Sequence, residues 1–179
     1  MELNGERVLP VERSIAWQAL NDTEVLKAAV PGCESITPVG DSVYEVAVNA
    51  AIGPVKSRFK GRLELQDIVA PSSYAVRFDL QGPAGFARGT AKVSLSDAES
   101  GTTLMKYEVN TSIGGKIAQI GSRLVDAAAA TMTDRFFAVF AAQLAERYPQ
   151  ASIAPSAARP PGFFSTVMAF LRRLFAGKS

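Results

Sequence analysis

The chain of 179 residues contains no histidine and one cysteine, Cys33. Histidine is the commonest general base and a frequent metal ligand, and Ser-His-Asp and Cys-His nucleophilic sites depend on it. One cysteine forms neither an intramolecular disulfide nor a thiolate metal cluster. We therefore expect no metal site and a non-catalytic protein, although acid–base chemistry by carboxylates such as Asp67 stays open as an alternative.

Acidic residues are also missing from the C-terminal part. Residues 150–179 carry four basic side chains and no acidic one, whereas residues 1–149 carry 15 basic and 17 acidic side chains. A nucleic-acid-binding protein is typically basic in its folded body, so we expect no nucleic-acid partner. The start, Met1–Arg7, has no apolar segment of a secretory signal, which predicts a cytoplasmic protein.

The periodicity of residues 1–148 predicts one α+β domain. A strand, Glu2–Leu9, and two short helices, Val11–Leu20 and Asp22–Val30, precede a stretch in which apolar and polar residues alternate, which is typical of half-buried antiparallel strands. Asp22 is a good N-cap for the second helix. We expect a six-strand meander there. After Gly114 the period becomes helical, and one face as far as Tyr148 carries Ile117, Ile120, Leu124, Ala128, Met132, Phe136, Phe140 and Leu144. The pattern predicts a curved antiparallel sheet wrapped around a long C-terminal helix.

The C-terminal tail has two parts, a Pro/Ala-rich linker at residues 149–162 and an amphipathic basic helix at residues 163–179. The apolar face of this helix spans about 20 Å, too short to cross a hydrocarbon core of about 30 Å. It would lie in the interface, with its cations on anionic headgroups. Docking of the tail on its own domain or on a partner protein is the alternative. The predicted membrane-binding residues are Phe163, Phe164, Val167, Met168, Phe170, Leu171, Arg172, Arg173, Leu174 and Phe175.

Small residues on the long helix face large apolar residues of the sheet. Such an arrangement lets the helix pack closely, giving a filled core, or leaves room for an apolar ligand oriented by a few polar groups such as Tyr107 or Thr131. The candidate ligand-binding residues are Phe59, Leu63, Phe78, Met105, Tyr107, Val109, Leu124, Ala128, Met132 and Phe136.

Four ordered segments carry a resemblance to a known family: AVPGCES at 29–35, IGPVKSRFKG at 52–61, GPAGFARGTA at 82–91 and IGGKIAQIGSRL at 113–124. They resemble the carbon monoxide dehydrogenase CoxG family, within the START/Bet v 1-like (SRPBCC) helix-grip superfamily. The resemblance implies a non-catalytic accessory protein of a molybdenum hydroxylase of the carbon monoxide dehydrogenase type, important for its membrane attachment. It also implies a central pocket for an apolar ligand.

Taken together, these features suggest a carrier without a covalent cofactor. We hypothesise that the domain moves a respiratory quinone, menaquinone or ubiquinone, between the inner face of the cytoplasmic membrane and the dehydrogenase, while the tail acts as a peripheral membrane anchor. The alternatives are an assembly or anchoring factor without a ligand and an enzyme of the polyketide cyclase type. The alternating Lys56, Arg58, Lys60 and Arg62 form a solvated strand face or a docking patch for an acidic partner or lipid headgroups.

Overall fold

The computed structural model describes residues 1–149. The rest of the predicted linker, and the predicted tail helix at 163–179, lie outside the described residues. The elements, in chain order, are β1 Glu2–Leu9, α1 Arg13–Leu20, α2 Thr23–Ala29, β2 Cys33–Gly40, β3 Val43–Ile52, β4 Val55–Val69, β5 Ser73–Gly82, β6 Gly85–Asp97, β7 Thr103–Gly114, α3 Lys116–Gln119 and α4 Ser122–Arg147.

The seven strands form one antiparallel sheet in the order β1-β7-β6-β5-β4-β3-β2. The predicted six-strand meander is β2 to β7, and β1 pairs with β7, Glu2 opposite Asn110 and Leu9 opposite Thr103. A β-carbon at Gly61 would overlap the Asp79 carbonyl, and one at Gly89 would overlap the Asn110 carbonyl. Glycine therefore permits a close approach of neighbouring backbones that a side chain would prevent.

The apolar core is divided into two parts. The main core lies under α1, α2 and the second half of α4, and its fully buried members include Val11, Val25, Phe140 and Leu144. A smaller cluster, here called the hairpin-end core, lies where the β3–β4 and β5–β6 turns meet α3. It consists of Phe59, Ala84 and Ile117 with the flanking Ala50, Ile52, Val55, Leu80 and Ile113.

The helix α4 is fixed to the rest of the domain by packing and by ion pairs. It packs against α2, whose N-terminus is capped by Asp22, as the sequence predicts, through bonds to the amides of Glu24 at 2.9 Å and Val25 at 3.3 Å. Arg147 also reaches the Asp22 carboxylate at 3.3 Å. On the other side, Arg7 of β1 pairs with Asp134 at 2.8 Å. Exposed ion pairs such as these contribute little to the free energy of folding. Packing therefore supplies most of the energy that holds α4, and the ion pairs are consistent with its orientation.

The long helix differs from its prediction at the N-terminal end. A continuous helix from Ile117 was expected, but Gly121 adopts a φ of 96° and separates α3 from α4. This break changes the phase of the buried face, so Val125 is buried while Leu124 is 47% exposed. Ile117, Ile120 and Leu124 keep helical spacing on both sides of Gly121, so the sequence pattern did not indicate the break.

Phe140 and its neighbour Val139 test the packing of α4. Phe140 is completely buried and Val139 is 38% exposed. We expect Phe140→Ala to lower the free energy of unfolding by about 3–5 kcal/mol, because it opens a cavity in the main core. Val139→Ala serves as the control and should cost well under half as much in the same chemical denaturation experiment. Equal losses would contradict the described orientation of the helix.

Candidate functional site

The middle of α4 does not pack closely on the sheet. From Asp126 to Phe136 no residue of α4 is buried, and Ala128, Ala129 and Met132, on the same helix face as Val125, are half-buried. Half-burial on this face shows that these side chains are not sealed in the core. Along the helix they stand between Val125 and Phe137, the first main-core residue of α4.

The sheet contributes apolar side chains to the same region. Leu63 of β4 is opposite Phe78 of β5, and Val76 of β5 is opposite Ala91 of β6, which is opposite Val109 of β7. All of these residues are half-buried. Together with the facing helix residues they form what we call the interior stretch, defined by Leu63, Val76, Phe78, Ala91, Val109, Ala128, Ala129 and Met132.

An apolar cavity of about 80 Å³ adjoins this stretch. It shares Leu63 and Val76 with the stretch and extends beneath the α1–α2 connection to Leu20, Leu26 and Ile36. Ligand pockets are typically about 300–1,000 Å³, so a larger ligand would need the surrounding elements to move apart. Wider depressions lie on the outer sheet face, but they are lined by charged and polar residues such as Glu45, Arg58 and Lys60, which do not suit an apolar ligand.

The structure distributes the predicted ligand-binding residues over four places. Leu63, Phe78, Val109, Ala128 and Met132 are half-buried members of the interior stretch, and Val109 also packs against the main core. Met105 and Tyr107 are buried in the main core, Phe136 packs against it, and Phe59 belongs to the hairpin-end core. Leu124 lies near the β3–β4 turn and is 47% exposed.

Polar groups near the interior are few. Thr131 is exposed and donates to the Ala127 carbonyl at 2.9 Å, so the prediction that it faces the sheet is wrong. Helical spacing misplaces it because the break at Gly121 shifts the buried face. The Tyr107 ring packs against Phe137 with 5.5 Å between centroids, and its hydroxyl lies so close to Gly5 that a β-carbon there would overlap it.

Thr111 is a polar residue of the interior that the sequence reasoning missed. It is buried on the concave face of β7, opposite Gly89 of β6. Among the described residues no fully buried side-chain nitrogen or oxygen lacks a hydrogen-bond partner, and the Thr111 hydroxyl is no exception. Because Tyr107, Val109 and Thr111 alternate along β7 with a period of two, the sequence could have predicted that Thr111 faces the interior.

The β3–β4 turn borders the interior stretch on the side of the hairpin-end core, and we call this border the rim. The tip of the turn, Gly53, has a φ of 57°, and a β-carbon there would lie 3.6 Å from Leu124 and 3.8 Å from Ile120. Within the described part of the chain, no backbone hydrogen bond joins this turn to α3 or α4. The β5–β6 turn differs, because the Ile117 amide donates to the Ala84 carbonyl at 3.0 Å. Of the two turns, the β3–β4 turn can therefore move with the smaller loss of bonding.

The basic residues of β4 are only partly neutralised. Arg58 pairs with Glu34, and Arg62 pairs with Glu45 at 3.5 Å. Hydrogen bonds from Arg58 and Asn49 hold the pKa of Glu34 below its usual value. Lys56 and Lys60 form no ion pair with any residue in the range 1–149. The strand thus presents free positive charge toward its N-terminal end.

Two further properties bear on the class of protein. Residues 1–149 contain no group of three His, Cys, Asp or Glu side chains placed to hold a metal ion. In the same range, no helix has both the length and the apolar character needed to cross a bilayer.

Comparison with known families gives a match over most of the domain. Residues 5–145 match the family model that describes CoxG, the G subunit of carbon monoxide dehydrogenase. The chain belongs to the CoxG family. Curated proteins gave no match to the sequence.

Several solved structures share the architecture of this CoxG-family chain. A conserved protein from Geobacillus kaustophilus has 25% identity and a TM-score of 0.78, covering 82% of this chain and 96% of that one. A START superfamily protein from Mycobacterium smegmatis has 10% identity and a TM-score of 0.63, covering 82% and 98%. The Zhui aromatase/cyclase from Streptomyces sp. R1128 has 10% identity and a TM-score of 0.60, covering 86% and 99%. The predicted START/Bet v 1-like helix-grip fold is confirmed.

The single thiol of this CoxG-family chain is expected to react slowly. Cys33 is half-buried at the start of β2, and burial raises the pKa of its thiol. Only the thiolate is nucleophilic. Iodoacetamide at pH 8 should therefore alkylate the native protein more slowly than the denatured protein, with a rate that keeps rising as the pH increases. A native rate equal to the denatured rate would contradict this environment.

Proposed function

We propose that this CoxG-family protein is a non-catalytic carrier of a respiratory quinone, menaquinone or ubiquinone. It would move the quinone between the inner face of the cytoplasmic membrane and a molybdenum hydroxylase of the carbon monoxide dehydrogenase type. The observation that carries the proposal is the half-buried interior stretch between the two cores. Apolar side chains that face the helix yet stay half-buried are suited to a ligand that would bury them.

The chemistry of the interior stretch fits a quinone. An isoprenoid chain needs an apolar lining, which Leu63, Phe78, Val109 and Met132 supply. A quinone carbonyl accepts hydrogen bonds and donates none, and the buried Thr111 hydroxyl, on the same face of β7 as Val109, is a group that can donate one. Entry of the quinone ring beside the β3–β4 turn would move this turn away from the nearby Leu124. No backbone hydrogen bond between the turn and α4 would have to break within the described residues.

The same stretch is poorly equipped for catalysis. Its eight residues include no carboxylate, lysine, cysteine or tyrosine that could act as acid, base or nucleophile. Asp67, the carboxylate singled out from the sequence, is exposed near the end of β4. These features favour a carrier over a cyclase, the enzymatic function named for one protein of this fold. The family description supports a dehydrogenase partner.

Filling the interior tests the carrier function. Ala128 faces the interior and is half-buried, whereas the adjacent Ala127 is exposed. We expect the full-length protein, purified without detergent from a quinone-containing host, to yield quinone on solvent extraction and mass spectrometry. Ala128→Phe should lower the quinone content about tenfold or more, because overpacking costs about 1–3 kcal/mol, while Ala127→Phe should leave it unchanged.

Two outcomes would contradict the carrier function. Absence of quinone from the wild-type protein, even after loading with quinone in detergent, would leave an assembly or anchoring factor with a filled core. Equal quinone content in both variants would place any bound quinone outside the interior stretch. Circular dichroism should verify that both variants are folded.

The predicted tail helix would keep the carrier at the bilayer. Its apolar side would enter the acyl boundary, and Arg172 and Arg173 would meet anionic headgroups. The double variant Phe164→Asp/Leu171→Asp should weaken binding to anionic liposomes by about a hundredfold or more, since each lost side chain is worth about 1.5–3 kcal/mol. Ser165→Asp/Ala169→Asp adds the same charge on the opposite side and should weaken binding less. Equal sedimentation of wild type and the first variant would refute membrane binding by the apolar side.

A further inference from the structure

Charge is unevenly distributed between the two ends of the domain. We define the hairpin end as residues 49–60, 80–88 and 113–126, which contain the β3–β4 turn, the β5–β6 turn and the α3–α4 junction. These segments carry six basic residues and one acidic residue, whereas the rest of residues 1–149 carries nine basic and sixteen acidic residues. The body is thus mildly acidic as a whole and basic at one end.

The fold brings the three segments of the hairpin end together. The Ile117 amide donates to the Ala84 carbonyl, which joins α3 to the β5–β6 turn. A β-carbon at Gly53 would lie 3.6 Å from Leu124 and 3.8 Å from Ile120, which places the β3–β4 turn beside the α3–α4 junction. The hairpin end is therefore one continuous surface, and it contains the rim of the interior stretch.

The cations of this surface are largely unneutralised. Arg58 of β4 pairs with Glu34 of β2, across the intervening β3. The other five form no ion pair with another residue of the described chain, and Arg88 lies over the Phe86 ring at 4.3 Å. These five are Lys56, Lys60, Arg88, Lys116 and Arg123.

Apolar residues project from the same surface. Pro54 and Pro83, in the two turns, are exposed, and Leu124 is among the most exposed large apolar side chains of the described domain. An acidic protein partner would complement the cations of this surface but not its exposed apolar residues. Exposed apolar groups surrounded by cations match a lipid interface, where apolar groups enter the acyl boundary and cations meet headgroups.

We propose that the hairpin end is a second membrane-binding surface that lies flat on an anionic bilayer, with the β3–β4 turn and Leu124 against the lipid. This orientation faces the rim of the interior stretch toward the membrane, so that an apolar ligand passes between bilayer and protein without crossing water. The inference extends the proposed carrier function by assigning the face through which the ligand enters.

Charge neutralisation tests the surface in the full-length protein. The variant Lys56→Gln/Lys116→Gln/Arg123→Gln should bind vesicles of phosphatidylglycerol and phosphatidylcholine about a hundredfold more weakly than wild type, since each cation contributes about fivefold. Arg77→Gln/Lys92→Gln/Lys106→Gln removes the same charge from the sheet outside the hairpin end and should bind within a few-fold of wild type. Equal weakening by both variants would overturn the assignment.

Depth-dependent fluorescence quenching tests the orientation. In a Trp17→Phe background, the indole introduced by Leu124→Trp should be quenched by lipids brominated along their acyl chains. The indole introduced by Val139→Trp should not be quenched. Both positions are exposed sites of α4, about 22 Å apart along the helix axis. Quenching at position 139, or at neither position in vesicle-bound protein, would overturn the proposal.

The outcomes separate this proposal from the carrier function. Vesicle-bound protein that retains extractable quinone but shows no quenching at position 124 would leave the carrier standing and remove the hairpin-end surface. Quenching at position 124 in protein that never binds quinone would support the hairpin-end surface and remove the carrier function. If the Lys56, Lys116 and Arg123 variant bound vesicles normally but failed to bind the dehydrogenase, the hairpin end would be a protein-docking surface and the proposal would be wrong.

Discussion

The long helix α4 is held against the sheet at both of its ends, and the rest of the architecture depends on that constraint. Phe140 and Leu144 are fully buried at one end, and Val125 is buried near the other. Between these ends no residue from Asp126 to Phe136 is buried, and the short side chains of Ala128 and Ala129 fill little of the distance between helix and sheet. A continuous core would have filled that distance.

The division of the core also gives the two ends of the domain different mechanical properties. The main core joins α1, α2, α4 and the sheet, so any change there exposes a large apolar area to water. The hairpin-end core is built on three buried residues, Phe59, Ala84 and Ile117, and the neighbouring β3–β4 turn touches α3 and α4 through apolar contacts alone within the described chain. Elements with few buried contacts open at the lowest free energy. The opening of a ligand path is therefore expected at the hairpin end.

The sequence predicted the fold better than the site. Alternation along β3 to β7, the cap at Asp22 and the composition of the long helix are local signals, and they were confirmed. The break at Gly121 was missed, since apolar residues continue with helical spacing on both sides, and the orientation of Thr131 was wrong for the same reason. Whether an inward residue such as Met105 packs in a core or borders a space depends on the distance between helix and sheet, which sequence periodicity does not encode.

The central claim is that the space between the sheet and the middle of α4 holds an apolar ligand. Photoaffinity labelling with an azido-quinone, followed by peptide mapping, tests this claim most directly. The account predicts stoichiometric labelling within residues 63–78 and 125–136, with protection by excess unmodified quinone. Labelling restricted to charged peptides of the outer sheet face, or labelling that excess quinone does not suppress, would contradict it.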